Sequence, residues 1–163
     1  MDITLGGILA LLKSIVSPLW KGWKTAAGID RDHDVAVFKK LDAIINEAKM
    51  DDLINGRIYT SNLTLQDTHG MADFLTALRR IENRYLNKTI QERVNELDRE
   101  LDGLLGLVQA TFWMVRDDRL KFRPDPIDKT IYQQEWKELC QRLDSTWKAY
   151  RAYRSAVKDL LKV

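Results

Sequence analysis

The sequence has few of the residues that break helices or cross-link chains. Of its 163 residues, one is cysteine, three are proline and eight are glycine. A single cysteine excludes an intramolecular disulfide framework and a zinc site built on cysteines. The scarcity of glycine and proline argues against a turn-rich β protein and favours long helices. Charge of one sign is also lacking, because 26 basic residues face 24 acidic ones, which gives no reason to expect nucleic acid as a partner.

Hydrophobic residues are abundant enough for a full core. They make up 45% of the chain, and charged residues make up 31%. This balance excludes intrinsic disorder, and the length is that of a single domain.

Apolar residues recur every three or four positions in four stretches, a spacing that predicts helices. The predicted helices cover 34–48, 66–86, 89–115 and 132–163. Between them, Ile58–Asp67 is a weak strand candidate that we interpret as a loop, and the charged, proline-containing stretch 116–128 is predicted to be a loop. We therefore predict an all-α fold: a four-helix, mostly antiparallel bundle with an additional N-terminal amphipathic helix.

Residues 1–27 differ from the rest of the chain in composition. Between Ile3 and Trp23 there are eleven Leu, Ile, Val or Trp residues, and the segment carries three lysines and a single acidic residue. The charged stretch 29–34 that follows is typical of a loop ending in a helix N-cap. We place a boundary there, with a hydrophobic docking helix over 1–28 and a helical bundle domain over 29–163.

The N-terminal segment has a broad apolar face when drawn as a helix. We expect this face to dock on a membrane or a protein partner; it comprises Ile3, Leu5, Ile8, Leu9, Leu12, Val16, Leu19, Trp20 and Trp23. Candidate helix-packing positions for an assembly of several copies are Gly6, Ala10, Lys13 and Ser14. The charge of Lys13 disfavours a lone membrane-spanning helix, and no positive charge precedes the apolar run, which disfavours a signal peptide. An interfacial helix, a multi-copy assembly and a protein-facing helix stay open.

No motif in the chain indicates catalysis or a bound cofactor. The stretch Asp30–Asp34 resembles the start of a calcium loop, but Val35 stands where that loop needs glycine and Leu41 stands where it needs glutamate. His33 and His69 lack further ligands at the spacing of a metal site, and Cys140 lies beside a core position. We therefore expect a protein that is not an enzyme and that uses no metal or cofactor.

The last predicted helix carries an excess of positive charge, because eight basic and four acidic residues lie between Lys129 and Val163. Its candidate basic face comprises Lys148, Arg151, Lys158 and Lys162. We interpret this face as solvated or as paired with the acidic side of the helix over 89–115. An anionic lipid or partner is the next interpretation, and nucleic acid is the least favoured.

Three short strings resemble motifs of small, largely uncharacterised bacterial proteins: His33–Asp42, Glu82–Leu86 and Ala149–Arg154. Those proteins pair an N-terminal membrane segment with an all-helical cytoplasmic domain. The resemblance covers 33–163 in separated patches. It implies a bacterial source, an α fold and tethering to a membrane, and it transfers no catalytic residue.

Two hypotheses of function follow, and in both residues 1–27 contact lipid or protein. The first is a non-enzymatic, membrane-associated interaction or effector protein, in its sharper form an oligomeric membrane-permeabilising toxin or phage-defence effector. Since Lys21 and Lys24 follow the apolar run and no lysine precedes it, the main domain would be cytoplasmic at the bacterial inner membrane. The second is a cytoplasmic helical subunit that docks its N-terminal helix in a partner's groove. We expect a homo-oligomer or a complex subunit in either case.

Overall fold

The computed structural model describes residues 28, 30–123 and 128–163. This part of the chain is mostly helical and includes a small three-stranded sheet, which confirms the prediction of a helical fold in its coarse form. Its helices are α1 over 30–44, α2 (Glu47–Asp51), α3 (Leu65–Arg79), α4 (Lys88–Thr111) and α5 (Lys129–Leu161). Its strands are β1 (Leu63–Thr64), β2 (Phe112–Arg116) and β3 (Arg119–Phe122), and Asp52–Ile58 is π-helical.

Side-chain caps fix where the long helices begin. At the start of α3, the Asp67 amide donates to the Thr64 hydroxyl at 3.2 Å and the Thr64 amide donates to the Asp67 carboxylate at 2.9 Å. This reciprocal capping box satisfies amides that have no partner within the helix. Asn87 caps α4 and Asp128 caps α5 through their side-chain oxygens.

Helix α5, with 33 residues, is the longest helix described, and it packs extensively on α4. The Arg142 guanidinium reaches the Glu100 carboxylate at 3.1 Å. Further along α5, the hydroxyl of Tyr153 lies 2.7 Å from that of Tyr85, just before α4 begins. These contacts run in opposite directions along the two helices, so α4 and α5 are antiparallel.

Helix α1 runs antiparallel to the second half of α5. Near the start of α1, the Arg31 guanidinium donates to the Leu161 carbonyl oxygen at 2.7 and 3.2 Å. Near its end, Asp42 forms an ion pair with Arg154. The first turn of α1 therefore lies at the C-terminal end of α5.

The core is one continuous cluster to which all five helices and all three strands contribute. Its most deeply buried side chains include Leu41, Ile45, Met50, Ile54, Ile58, Leu63, Phe74, Ile90, Leu97, Leu101, Leu104, Leu139, Tyr150 and Tyr153. A shared core is what a single domain requires, and within the described residues the region predicted to be the main domain has one.

The sheet has the strand order β1-β3-β2, and both pairs are antiparallel. Phe112 pairs with Phe122 across β2 and β3, and both side chains are buried. Phe122 packs on α5, with its ring centre 5.2 Å from those of Tyr132 and Trp136. One face of the β2–β3 hairpin is therefore attached to the start of α5, and the other faces outward.

Two predicted boundaries around this hairpin are wrong. The helix predicted over 89–115 ends at Thr111, and the loop predicted over 116–128 contains β3. Phe112 and Val115 continue the three- and four-residue spacing of α4, so the apolar pattern alone extends the helix too far. Phe112–Arg116 is rich in residues that favour strands, and pairing with β3 decides its conformation.

The remaining differences also concern element ends. The helix predicted over 34–48 is already present at residue 30, so the charged stretch predicted as a loop is largely helical. The C-terminal part of the predicted helix belongs to a separate helix, α2, which Asn46 caps. The helix predicted over 66–86 stops at Arg79. The weak strand candidate contributes the two residues of β1.

Candidate interaction surfaces

The start of α1, the connection over 80–87 and the end of α5 meet at one end of the molecule, which we call the terminal end. There Asp34 is 1% exposed, and its carboxylate accepts hydrogen bonds from the amides of Leu86 at 2.7 Å and Asn87 at 2.9 Å. His33 Nε2 donates to the Arg84 carbonyl oxygen at 3.0 Å. The predicted role of Asp34 as a helix N-cap of its own helix is wrong, because its side chain holds the α3–α4 connection instead.

Three buried tyrosines connect α5 to the α3–α4 connection and to the residue that follows α1. Tyr85 and Tyr153 share the hydroxyl contact described above, and the Tyr150 hydroxyl donates to the Ile45 carbonyl oxygen at 3.5 Å. Burial raises the pKa of all three side chains. They therefore stay protonated at physiological pH and serve as packing groups with a hydrogen bond.

The predicted basic face lies on the exposed side of α5, and its members have different surroundings. Lys148 forms an ion pair with Asp144 at 2.6 Å within the helix. Arg151 and Lys158 line an open depression of about 410 Å³ between α1 and α5. Lys162 ends α5 in the left-handed conformation, with a φ of 58°. Two of the four predicted cations, Lys158 and Lys162, therefore lie in the last turns of α5 at the terminal end.

The carboxylates of α4 form ion pairs with arginines that do not belong to the basic face of α5. Asp98 and Asp102 form ion pairs with Arg79 of α3 at 2.6 and 3.0 Å. Glu100 pairs with Arg142. Among the described residues, these pairs leave the basic face of α5 directed away from α4.

Large apolar side chains are exposed at the terminal end. They are Ile81, Leu86, Leu160 and Val163, and Ile81 is 89% exposed. Lys158 and Lys162 lie in the same last turns of α5 as Leu160. Residue 28, the first described residue, precedes Arg31 by three positions, and the Arg31 guanidinium contacts the Leu161 carbonyl oxygen at this end.

A second apolar surface lies at the opposite end of α5, which we call the hairpin end. Trp113 is 56% exposed, Met114 is 61% exposed and Val115 is also exposed, all on β2. β2 is one of the two outer strands of the sheet. Three consecutive apolar side chains therefore face water on a strand that pairs on one side only within the described residues.

An ion pair fixes Trp113 to α5. The Arg123 guanidinium donates two hydrogen bonds to the Glu135 carboxylate, at 2.7 and 2.6 Å, and lies 5.8 Å from the centre of the Trp113 ring. The hydrogen bonds from Arg123 lower the pKa of Glu135, and those to Glu135 raise the pKa of Arg123. This geometry connects the outer face of the hairpin to the first turns of α5.

Two kinds of chemical site that the sequence raised, a metal site and a reactive cysteine, can be compared with the described residues. No three His, Cys, Asp or Glu side chains in this part of the chain form a cluster that could hold a metal ion. Burial raises the pKa of the Cys140 thiol, which is the reverse of what an activated nucleophile needs. Within the same residues, every helix is too short or too polar to cross a membrane.

The predicted docking and helix-packing residues between Ile3 and Trp23 lie outside the described residues. Their contacts with lipid or protein stay predictions. What the structure adds is the place where this segment joins the helical body, which is the terminal end.

Comparisons with known proteins identify no relative. A scan against protein-family models gave no match, and comparisons with curated proteins and with solved structures found no similar chain. The function has to be inferred from the residues and geometry of this chain.

The hairpin end is the surface that sequence reasoning missed. Two signals indicate it: the strand-favouring run Phe112–Arg116, and the alternation of polar and apolar residues over Arg119–Phe122. Between them stands Asp117-Asp118 in place of the more usual Asn-Gly or Asp-Gly. Both aspartates have a positive φ, 37° and 66°, as a type I′ turn requires.

Proposed function

We propose that this chain is a non-enzymatic, membrane-associated interaction protein that docks on a bilayer through residues 1–27. The observation that carries the proposal is the character of the terminal end, where this segment joins the body. Exposed apolar side chains lie there beside Lys158 and Lys162. An anionic bilayer takes up apolar side chains at its surface and attracts cations to its headgroups.

The composition of the N-terminal segment supports the same orientation. Trp20 and Trp23 are suited to headgroup depth, and its three lysines outnumber its one acidic residue. Asp32 and Asp159 also lie at the terminal end, so we expect charge to add to the apolar contact and not to replace it. The proposal includes a four-helix, mostly antiparallel arrangement of α1, α3, α4 and α5, supported by the antiparallel contacts of α5 with α1 and α4.

In the bacterial setting that the sequence resemblance implies, we place the contact at the inner membrane with the helical body in the cytoplasm. The sharper form of the proposal is an oligomer that permeabilises this membrane, as a toxin or phage-defence effector does. Gly6, Ala10 and Ser14, spaced four apart, would allow close approach of helices, and Lys13 would face a wet centre.

Co-sedimentation of the full chain with vesicles tests the docking. We expect binding to vesicles that contain phosphatidylglycerol, and binding at least about tenfold weaker for Lys158→Glu/Lys162→Glu, because each cation near a bilayer contributes about 1 kcal/mol. The matched control is Lys129→Glu/Lys137→Glu, the same charge change at the other end of α5, which should bind as the wild type does. Equal loss in both double variants would contradict the proposed orientation.

Dye release from the same vesicles tests the sharper form. Lys13→Leu should abolish release and leave sedimentation intact if copies line a wet centre, and Gly6→Leu should prevent assembly. If the full chain ignores all vesicles and instead co-purifies with a stoichiometric protein, residues 1–27 dock in a partner's groove and the membrane proposal is wrong.

A further inference from the structure

The hairpin end has the features of a site that adds a strand from another chain. Trp113, Met114 and Val115 are exposed in succession on β2, and in the described part no strand pairs with the outer edge of β2. Exposed apolar edge strands are places where another chain pairs. We propose that β2 takes up an extended, acidic segment of a partner protein as an additional strand of the sheet.

The two faces of the hairpin define what such a segment would contact. Trp113 pairs with Lys121, and Met114 pairs with buried Leu120, so Trp113 lies on the outer face and Met114 on the inner face. The register shifts between Met114 and Arg116, which leaves Val115 as a bulge. An added strand with alternating side chains would cover Trp113 on one face and Met114 on the other.

The charge around Trp113 indicates an acidic segment. Arg116 pairs with Arg119 in the register, and these two cations share the outer face with Trp113 and Lys121. The charge of Arg123 is already balanced by Glu135. Asp117 and Asp118 occupy the turn, beyond the last paired residues. Carboxylates on the outer-facing side of an incoming strand would therefore lie beside Arg116 on β2, and Arg119 and Lys121 would add positive charge to the same face from the next strand, β3.

A second copy of this chain fits the edge less well. In an antiparallel pair of β2 strands, each copy would bring Arg116, Arg119 and Lys121 to the same outer face of the combined sheet, so two sets of positive charge would share one face with no carboxylate to balance them. A single-stranded nucleic acid would use Trp113 and the cations but would leave Met114, on the opposite face, in water. Strand addition covers both Trp113 and Met114.

The site is arranged before the partner arrives. The guanidinium of Arg123 lies over Trp113 and is itself held by the two hydrogen bonds that it donates to the Glu135 carboxylate on α5. A side chain that is already held loses little freedom on binding, which lowers the entropic cost of association. The inference is independent of membrane docking, because the hairpin end is at the other end of α5.

Fluorescence anisotropy with the full chain tests the proposal. The probe is a short labelled peptide of alternating glutamate and valine, and the control peptide replaces glutamate with lysine. We expect the acidic peptide to bind and the basic peptide not to bind. Hydrogen exchange of the complex should show protection of the amides of Phe112–Arg116.

Two variants locate the contact. Met114→Lys places a charge on an exposed edge position and should weaken binding by about tenfold or more, whereas Ile131→Lys, at an exposed position on nearby α5, should leave it unchanged. Lys121→Glu should lose the acidic peptide and gain the basic one. This charge swap keeps the result informative even if the Met114 variant folds poorly.

Several outcomes would overturn the proposal. It is wrong if the acidic peptide does not bind, or if it binds the Met114→Lys and wild-type chains equally. It is also wrong if oligothymidylate binds β2 in place of the peptide. Finally, a dimer that Met114→Lys abolishes in sedimentation would assign the edge to a second copy.

Discussion

The buried carboxylate of Asp34 connects α1 to the start of α4. Its two oxygens accept hydrogen bonds from consecutive amides, those of Leu86 and Asn87, just before α4 begins. Those amides precede a helix, and the negative charge also suits the positive end of the helix dipole. The side chain therefore acts as a cap that α1 supplies to α4.

We predict that Asp34→Ala lowers the free energy of unfolding by about 2–3 kcal/mol, because it leaves two amides without a charged acceptor. Urea denaturation measures the change. Asp32→Ala, at an exposed position two residues earlier, is the control and should have little effect. A loss equal in both variants would show that the hydrogen bonds of Asp34 do not matter.

The sequence alone predicts some residues of the candidate sites and misses others. The excess of positive charge in the last predicted helix indicates Lys158 and Lys162, because charged residues on a helix can be recognised from the sequence. The role of Asp34 cannot be predicted in this way. Its hydrogen-bond partners lie about fifty positions further along the chain, and only the packing of α1 on the α3–α4 connection brings them together.

At the scale of elements, the hairpin is attached to α5 by the pair Arg123–Glu135. The pKa of Glu135 lies below its usual value of 4.5 because of the hydrogen bonds from Arg123. A carboxylate with a lowered pKa stabilises the folded state above its pKa in the unfolded chain. That stabilisation disappears as the pH falls through the lower pKa of the folded state.

We predict that Glu135→Gln destabilises the protein at neutral pH and that its difference from the wild type shrinks as the pH falls below 4.5. Thermal unfolding followed at several pH values measures this difference. Glu138→Gln, on an exposed position of the same helix, should show no such convergence. If the difference for Glu135→Gln grows in acid, the pair is not what attaches the hairpin.

The sequence predicts correctly whether a segment is a helix or a strand where its apolar spacing agrees with the way it packs in the fold. Helix α5 follows its apolar spacing from Tyr132 to Leu161 because one stripe faces the core along its whole length. The helical period of Phe112 and Val115 instead predicts helix over 112–115 and places Arg116 in a loop. The strand conformation of Phe112–Arg116 depends on pairing with β3, and the helical period of Phe112 and Val115 does not reveal that partner.

At the scale of the whole molecule, the single core implies that stability is shared by all elements. We predict that Leu139→Asp, Leu97→Asp or Phe74→Asp unfolds the protein, because each places a carboxylate at a position that is at most 1% exposed. An unpaired buried charge costs several kcal/mol, comparable with the total stability of a domain. Far-UV circular dichroism should show the loss of helix.

Ile131→Asp is the matched control, since Ile131 lies on the same helix as Leu139 but is exposed. It should retain the wild-type spectrum and melting behaviour. If Leu139→Asp also retains them, the side chain of Leu139 is not at the centre of the core.

The length of α5 keeps the two ends of the molecule electrostatically independent. Its 33 residues span about 50 Å at 1.5 Å per residue, whereas the Debye length at physiological ionic strength is about 8 Å. Several screening lengths separate the terminal end from the hairpin end, so a charged surface at one produces almost no potential at the other. The sensitivity of each end to salt can therefore be changed by mutation without altering that of the other.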